Sequence, residues 1–354
     1  MTRRPSGTVV VVGPVPPPVH GAARVTDRMR QELGARSARV VTVDTSAAGP
    51  DGASLRPPAR LLRLAGGLLV VLGAVTRGAT VYVGGAGGPL LWYQAIVLGL
   101  ARLLQVRTVF HHHSYSAVLE RRGAMRAVTR LGGPSVVHVT LGETMAEDLR
   151  RNHRQLRDVR VCSNAALLGP ASPAGPARSG DPVLGHLSNL SMAKGLGDVV
   201  AAFECLLGEE PGVRLVLAGP PADDEAAELL AATTERHGDR VEVLGRIGPE
   251  QVEAFYRRID VFCFPSRYAH EAEPLVVLDA LRFGVPTVAY DVGCLAEVVP
   301  PAGLVEQGGD YPCAVARTVR GDRPPVASLA ELFARRRDDA QVALGEVVGL
   351  LVGR

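Results

Sequence analysis

Short runs of β-branched residues alternate with segments of helical length along almost the whole chain, and this alternation limits the possible folds more than any other feature. An order of strand, helix, strand, helix predicts a parallel sheet covered by helices on both faces. In the first half the predicted strands are Thr8–Val12, Arg39–Val43, Thr80–Val83, Thr108–His111, Ser135–Thr140 and Asp158–Val161. The helical segments between them include Ala22–Leu33, Leu90–Leu104 and Ala117–Leu131.

The alternation is interrupted once, by residues 169–181, whose sequence GPASPAGPARSGD is typical of a linker. A chain of 354 residues is long enough for two domains. We therefore predict an α/β protein with two doubly wound Rossmann-like domains that face a central cleft. The predicted parts are a first domain (1–168), the linker (169–181), a second domain (182–325) and a C-terminal helical tail (326–354). In open α/β sheets ligands bind at the carboxyl ends of the strands, so the loops after strands are where a site is expected.

Charge is distributed unevenly between the two halves. Up to Leu168 there are 22 arginines and 9 acidic residues, whereas from Gly169 onward 17 basic residues face 27 acidic ones. Such a split indicates that the two halves have different partners. Of the 39 basic residues, Lys194 is the only lysine.

Several classes of protein are disfavoured by composition. The five cysteines are scattered and lack metal-ligand spacing, which argues against a disulfide framework and a zinc site and favours a reducing compartment. No stretch of 18 apolar residues is free of charge, so no membrane span is predicted. The segment Leu61–Val75 is very apolar but contains Arg63; a buried helix is the favoured interpretation, and a helix that contacts lipid is the alternative.

Two loops of the first domain are candidates for chemistry. Prolines keep the loop from Gly13 to Gly21 extended, and Gly21 then opens a helix whose N–H groups can stabilise an anion; a rigid turn is the alternative. The loop lacks the G-x-G-x-x-G pattern, which disfavours a nicotinamide cofactor. After the fourth strand come His111, His112 and His113, of which at most two share a face. Neutral imidazoles suit hydroxyl recognition and proton handling, whereas packing is the alternative for all three.

The second domain has two further candidate loops. Lys194 stands at the entrance of a helix, where an ammonium and the helix N-terminus together favour an anion; a surface lysine is the alternative. After the strand that ends at Phe264, Glu271 lies in a loop and Asp279 on the following helix. Asp279 sits in an apolar stretch, where a carboxylate needs a partner, and sugar or ribose hydroxyls would serve.

These motifs, taken in order, resemble those of GT-B glycosyltransferases, specifically the retaining family 4 enzymes (glycosyl transferases group 1). That family carries Glu, seven residues, Glu, then Ala and Gly-x-Pro; here the pattern is Glu271, seven residues, Asp279, Ala280 and Gly284-Val285-Pro286. The family's Arg five residues before Lys-Gly is matched here by Asn189 before Lys194-Gly195. The proline- and glycine-bearing first loop and the histidine run match as well.

The resemblance implies a role for each matched residue. Catalytic roles fall on His113, Glu271 and Lys194. Donor binding falls on Gly21, Asn189, Lys194, Gly195, Ile247, Glu271, Ala272, Glu273, Pro274, Leu275 and Asp279. Secondary candidates are His111, His112, Arg267 and Arg282, and either arginine would compensate for the charge that Asn189 lacks relative to the family's Arg. Asp279 is one methylene shorter than the family's Glu, so a ribose contact needs a closer approach.

The resemblance also implies an activity. A sugar would pass from a nucleotide diphosphate sugar to an acceptor hydroxyl with retention, in the synthesis of a cell-surface polysaccharide, a glycolipid or a secondary-metabolite glycan. No Asp-x-Asp follows a strand, so we expect no metal and no cofactor beyond the nucleotide sugar as co-substrate. The alternatives are a non-catalytic nucleotide-sugar-binding partner subunit and a nucleotide-sugar epimerase.

The expected partners follow from the same two sources. The resemblance implies a nucleotide-sugar donor and a glycan or lipid-linked acceptor bound by the first domain, and no nucleic acid is expected. The basic first half together with Leu61–Val75 predicts a cytoplasmic protein attached peripherally to an anionic membrane surface, whereas an arginine-rich soluble surface is the alternative.

Overall fold

The structure is a computed structural model that describes residues 7–17, 21–36, 38–47, 55–85, 87–173 and 180–353. Part of the predicted linker, residues 174–179, lies outside the described residues. The chain divides into two compact units, one made of Met1–Leu167 with Asp338–Arg354 and the other of Leu168–Arg337. The final helix, expected as a separate tail, is thus shared between the units.

The first unit contains a six-stranded parallel sheet in the order β2-β1-β3-β4-β5-β6. Its central strands are almost wholly buried, as β-branched strands with helices on both faces should be. In chain order the elements are β1 (Thr8–Gly13), α1 (Gly21–Ala35), β2 (Arg39–Asp44), α2 (Pro57–Val75), β3 (Thr80–Gly85), α3 (Leu90–Leu103), β4 (Thr108–His112), α4 (Tyr115–Leu119), α5 (Gly123–Gly132), β5 (Val136–Thr140), α6 (Glu143–Asn152) and β6 (Asp158–Val161).

The second unit contains another six-stranded parallel sheet, in the order β12-β11-β10-β7-β8-β9. Chain order reverses between β7 and β10, which makes this position the switch point of the sheet. The elements are β7 (Val183–Leu187), α7 (Leu196–Leu207), β8 (Arg214–Ala218), α8 (Asp224–His237), β9 (Val241–Gly245), α9 (Pro249–Tyr256), β10 (Val261–Phe264), α10 (Leu275–Arg282), β11 (Thr287–Tyr290), β12 (Leu304–Val305), α11 (Tyr311–Val319) and α12 (Val326–Val352). Two parallel doubly wound sheets confirm the predicted α/β class.

The segment Ala117–Leu131 is two helices rather than the predicted single one. α4 ends at Leu119, and α5 begins at Gly123, whose φ of +65° is one that residues with a Cβ rarely adopt. A glycine in this conformation cannot continue a right-handed helix, so the chain turns there.

The buried interpretation of the apolar segment in α2 is wrong. Only Gly67, Val71 and Val75 of this helix are buried, while Leu62 and Leu69 are 75% and 71% exposed. A Cβ at Gly67 would lie 2.6 Å from Val43 Cγ1, so the helix meets the sheet along one narrow stripe. Among the described residues α2 is the one helix long and apolar enough to cross a bilayer, although it connects two strands of a single sheet.

The end of α12 is fastened to the first unit by two hydrogen bonds. Arg107 Nη1 donates to the Leu350 carbonyl at 3.0 Å, and Thr80 Oγ1 donates to the Leu351 carbonyl at 2.7 Å. The last helical turns therefore belong to the fold of the first unit.

Candidate functional site

Two loops leave the sheet of the second unit on either side of its switch point. The loop of residues 188–195 follows β7, and the loop of residues 265–274 follows β10. They touch directly, since the Arg267 backbone N–H donates to the Ala193 carbonyl at 2.9 Å. Gly195 has a φ of +83°, and a Cβ there would lie within 2.1 Å of the Pro265 carbonyl oxygen. Only glycine allows the two loops to approach this closely.

An ion pair joins these loops. Lys194 Nζ lies 2.5 Å from Glu271 Oε2, and Ser266 Oγ donates to the same oxygen at 3.0 Å. The ammonium also lies 4.4 Å from the centre of the Tyr268 ring, within the range of a cation–π contact. An ammonium has three N–H donors, so Lys194 can keep Glu271 and still donate to an anion. Both side chains retain some exposure, 22% and 11%.

His186 supports this loop from inside β7. Its Nδ1 is 2.8 Å from the Cys263 carbonyl oxygen, and its Nε2 is 2.8 Å from Ser188 Oγ. Burial lowers the pKa of His186 to about 4. The hydrogen bond to the Cys263 carbonyl opposes this shift, and the nearby charge of Lys194 adds to it. The imidazole is therefore neutral at pH 7; because a carbonyl only accepts, Nδ1 carries the proton and Nε2 accepts from Ser188.

The loops after β11 and β8 pack against the loops of residues 265–274 and 188–195. Gly293, which follows β11, has a φ of +61°, and a Cβ there would lie 2.5 Å from the Glu271 carbonyl oxygen. The neighbouring Cys294 N–H donates to the Ala272 carbonyl at 2.8 Å. After β8, Gly219 has a φ of +119°, and its backbone lies too close to the Ser188 carbonyl to admit a Cβ. Four loops at one sheet edge thus meet through glycines.

Glu273 faces away from solvent. Its side chain has no exposure and accepts two hydrogen bonds from Arg336 of α12, at 3.0 Å from Nε and 2.6 Å from Nη2. Burial lowers the pKa of Arg336, but the charges of Glu273 and Glu297 outweigh it and raise that pKa overall. Pro274 has no N–H, so within residues 272–275 only Ala272, Glu273 and Leu275 can hold the nucleotide sugar through a backbone N–H.

The two arginines expected to compensate for Asn189 already have partners. Arg267 pairs with Asp198, donates to the Tyr290 hydroxyl at 2.9 Å, and has its pKa raised chiefly by the bond to Asp198. Arg282 Nε donates to the Pro170 carbonyl at 2.9 Å, and its Nη1 lies 3.7 Å from Asp279 Oδ1.

The remaining predicted residues of this unit are spread over the same edge and α10. Asn189 is exposed in the loop after β7, and Ile247 is half-buried in the loop after β9. Asp279 lies on α10 with 4% of its side chain exposed. The structure therefore brings Lys194 and Glu271 into contact, whereas it pairs Asp279 with Arg282.

The histidines of the first unit are largely buried at the end of β4 and just beyond it. His112 Nε2 is 2.9 Å from His138 Nδ1, and His111 Nδ1 is 2.9 Å from the Tyr82 hydroxyl. The His111 and His113 rings lie on one face, with centres 4.3 Å apart. Burial lowers the pKa of His113 to about 4 and that of His138 to about 3, so both are neutral at pH 7.

Two further observations concern the first unit and metal ligands. Gly21 opens α1 and is exposed, with open space where a Cβ would stand. In the described part of the chain, no group of three or more His, Cys, Asp or Glu side chains is arranged to hold a metal ion.

Residues 171–310 match the sequence model of the family described as Glycosyl transferases group 1, and both the Lys194 and the Glu271 loops lie within the match. The similarity to glycosyl transferases group 1 is therefore confined, in sequence, to this region of the second half. A glycogen synthase of Anaeromyxobacter dehalogenans (strain 2CP-C) is 36% identical over 128 residues, which is 35% of this chain and 25% of that enzyme. The alpha-monoglucosyldiacylglycerol synthase of Streptococcus pneumoniae (strain ATCC BAA-255 / R6) is 32% identical over 117 residues, 32% of this chain and 25% of that enzyme. The matched region thus spans about a quarter of these relatives.

Over the rest of the chain, the similarity to known proteins is one of structure. The crystal structure of Anabaena HepE in complex with UDP superposes with a TM-score of 0.67 at 16% identity, covering 97% of this chain and 99% of that one. A second HepE structure contains UDP-glucose. Similarity at this identity establishes the fold, and it confirms the GT-B class expected from the sequence.

Sequence reasoning missed several residues around Lys194 and Glu271. Ser266 and Tyr268 belong to a loop already singled out, so their polar groups were an available signal. His186 lies within a strand, and Arg336 lies 63 residues from Glu273; neither gives any local signal of its contact.

Proposed function

We propose that this chain transfers a sugar from a nucleotide diphosphate sugar to an acceptor hydroxyl, with the donor held by the region of residues 171–310. The observation that carries the proposal is the contact of Lys194 Nζ with Glu271 Oε2, at 2.5 Å, across the switch point of the sheet. This is the edge where ligands bind in doubly wound folds. Support comes from the UDP and UDP-glucose complexes of HepE and from the similarity to glycogen synthases.

In this proposal each half of the ion pair serves a different part of the donor. Lys194 binds the diphosphate, because an ammonium beside phosphate oxygens makes a strong charge-assisted hydrogen bond. Glu271 accepts from hydroxyls of the transferred sugar through Oε1, while Lys194 and Ser266 donate to Oε2. The amide of Asn189 and the backbone N–H groups of Ala272 and Leu275 complete the donor contacts.

The remaining roles extend to the nucleoside and to the first unit. Asp279 contacts the ribose hydroxyls, and Ile247 borders the base. Gly21 permits a close approach of the first loop to the diphosphate. His113, neutral at pH 7, contacts a sugar hydroxyl, with His111 on the same face as the second candidate.

The proposed reaction proceeds with retention of configuration. The bond between the anomeric carbon and the phosphate oxygen breaks, and the acceptor oxygen bonds to that carbon on the face the phosphate has left. The leaving phosphate takes the acceptor proton. Lys194 stabilises the charge that develops on the phosphate, which is the part a divalent metal would otherwise perform. The sequence has no Asp-x-Asp after a strand, so we include metal independence in the proposal.

The test is turnover of a panel of uridine, guanosine and adenosine diphosphate sugars, with and without sugar and lipid acceptors, followed by proton NMR of the anomeric centre. We expect one donor to be consumed only with an acceptor, giving a product of unchanged anomeric configuration. Glu271→Gln should abolish this turnover. Glu253→Gln, which alters an exposed ion pair with Arg257, should leave it unchanged. Conversion without an acceptor would indicate an epimerase, and binding without turnover a partner subunit.

We also propose that the first unit attaches to an anionic membrane. Exposed apolar side chains cluster on two adjacent helices: Leu61, Leu62, Leu69, Val70 and Leu72 on α2, and Trp92, Ile96 and Leu103 on α3. The surrounding half of the chain has 22 arginines against 9 acidic residues. Apolar side chains at the acyl boundary and arginines at the headgroups are the two components of interfacial binding, and each basic residue near the surface contributes about 1 kcal/mol. The lipid-modifying relative from Streptococcus pneumoniae supports a lipid-linked acceptor.

Sedimentation with vesicles of phosphatidylcholine and increasing phosphatidylglycerol tests the attachment. We expect binding that grows with anionic lipid and weakens with salt. The double variant Leu62→Glu, Leu69→Glu should stay in the supernatant, whereas Val342→Glu, at a 67% exposed position on α12, should bind like the wild type. A wild type that never sediments would overturn the attachment and favour a soluble acceptor.

A further inference from the structure

A pocket of ≈ 860 Å³ lies between α5 and α6 in the first unit. Its walls come from the end of α3, from α5, and from the connection between α6 and β6. Six of its lining residues are arginines: Arg102, Arg121, Arg126, Arg130, Arg154 and Arg157. The volume is that of a small-molecule site.

The pocket is positive without compensation. No acidic residue lines it, and among the described residues none of the six arginines takes part in an ion pair. Six other described arginines of the same unit do form ion pairs; on α1, for example, Arg28 contacts Glu32 and Arg30 contacts Asp27. What distinguishes this cluster is that six arginines line a single concavity whose lining contains no acidic residue. Six like charges in one concavity repel each other, and a multivalent anion relieves that repulsion.

Hydrogen bonds hold the walls of the pocket in place. Arg121 Nε, just before α5, donates to Asn152 Oδ1 at the end of α6 at 2.7 Å. Gln155 Nε2, just after α6, donates to Thr129 Oγ1 on α5 at 2.8 Å. These bonds connect the two helices that border the pocket. Arg102 Nη1 donates to the Arg130 carbonyl at 2.9 Å. Arg102 and Arg121 each use one N–H in these bonds, so the other N–H groups of both guanidinium groups can bind a ligand.

A buried polar atom also stands in the wall. His153 is 2% exposed, and its Nε2 has no hydrogen-bond partner among the described residues. A buried nitrogen without a partner is costly, and a hydroxyl or a protonated phosphate oxygen of a ligand in the pocket can donate the missing bond.

The pocket lies away from the edge where His113 and Gly21 stand. Arg102 precedes β4, Gly133 and Pro134 precede β5, and Arg154 and Arg157 precede β6, so these residues mark the amino ends of the strands. The predicted donor and acceptor loops follow the carboxyl ends, at the opposite edge of a parallel sheet.

We propose that this pocket is a second anion site, which binds a phosphate or diphosphate group independently of the donor. Guanidinium groups match phosphate oxygens in bidentate geometry, and six arginines line this pocket. The site lies beyond the proposed transfer reaction, because none of its residues belongs to the donor or acceptor loops. A soluble phosphorylated metabolite and a lipid headgroup present the same chemistry to it.

Calorimetric titration of inorganic pyrophosphate tests the site, with UDP present in excess to occupy the proposed donor site. The pocket variant is Arg126→Gln with Arg130→Gln, since both side chains are exposed on α5. The control is Arg28→Gln on α1 with Arg36→Gln directly after it, which removes the same charge and changes no residue that lines the pocket. We expect pyrophosphate to bind the wild type and the control alike, and the pocket variant at least about tenfold more weakly.

Equal binding by the pocket variant and the wild type, or no binding by the wild type, would overturn the second site. The comparison between the two arginine variants does not depend on UDP binding, so failure of the donor proposal leaves this test intact. Vesicles of phosphatidylglycerol distinguish the two sources of phosphate. Weaker vesicle binding by the pocket variant than by the control indicates a lipid headgroup, and equal vesicle binding with weaker pyrophosphate binding indicates a soluble ligand.

Discussion

Arg336 Nη2 lies 2.6 Å from Glu273 Oε1, and the Glu273 side chain has no exposure to solvent. This pair fastens the loop that carries Glu271 to α12. Removing one member of a buried ion pair leaves an uncompensated charge, which typically costs about 3–5 kcal/mol.

Arg336→Met should therefore lower the free energy of unfolding of the second unit by about 3–5 kcal/mol in urea titrations. The matched control is Arg257→Met, which breaks an exposed pair with Glu253 and should cost about 0.5 kcal/mol at most. Equal losses in the two variants would show that the Glu273 carboxylate is not buried in solution.

Gly195→Ala should weaken donor binding as well as stability. The new methyl group collides with the Pro265 carbonyl, so the loops of Lys194 and Glu271 must move apart. Gly238→Ala is the control, because Gly238 has a φ of +56° and open space around it. That variant should cost about 1–2 kcal/mol of stability and leave nucleotide affinity unchanged. Identical nucleotide affinities for both variants would contradict the close approach of the loops.

Acid should destabilise the first unit through its buried histidines. Burial lowers the pKa of His138 to about 3 in the folded chain, against about 6.5 when it is unfolded. Above pH 6.5 the neutral ring does not reduce the free energy of unfolding. As the pH falls from 6.5 towards 3, the unfolded chain takes up a proton that the folded chain does not, and stability is lost. At pH 5 His138 alone removes roughly 2 kcal/mol. Urea unfolding at pH 7 and pH 5 should show the loss, and His138→Gln should reduce it. Stability that does not change between these pH values would refute the burial of neutral imidazoles.

Much of this fold could be predicted from local pattern, since the valine-rich runs of β1 and β3 form buried strands at the centre of their sheet. The run Val183–Leu187 was predicted with the bounds that β7 has in the structure. The exposure of α2 could not be predicted, because an apolar helix has the same sequence pattern whether it packs against protein or against lipid. Contacts between residues far apart in sequence could not be predicted from local pattern either. Lys194 and Glu271 are 77 residues apart, and only the strand order of the sheet brings their loops together.

Transfer should continue in the presence of a chelator. In the proposed site Lys194 and the backbone N–H groups at the loop ends neutralise the leaving diphosphate, so EDTA should change turnover by less than about twofold. Initial rates with and without EDTA, on the donor found in the panel, measure this. Complete loss of turnover that manganese or magnesium restores would show that a metal performs this part.

The most direct test of the donor site is calorimetric titration of uridine, guanosine and adenosine diphosphates into the wild type, Lys194→Ala and Lys194→Arg. The alanine variant removes a cation and leaves the Glu271 carboxylate to repel the diphosphate, so we expect the preferred nucleotide to bind about 10- to 100-fold more weakly. The arginine variant should recover part of the affinity, because it keeps the charge with a different geometry. Affinity for that nucleotide equal in the wild type and Lys194→Ala would contradict the account.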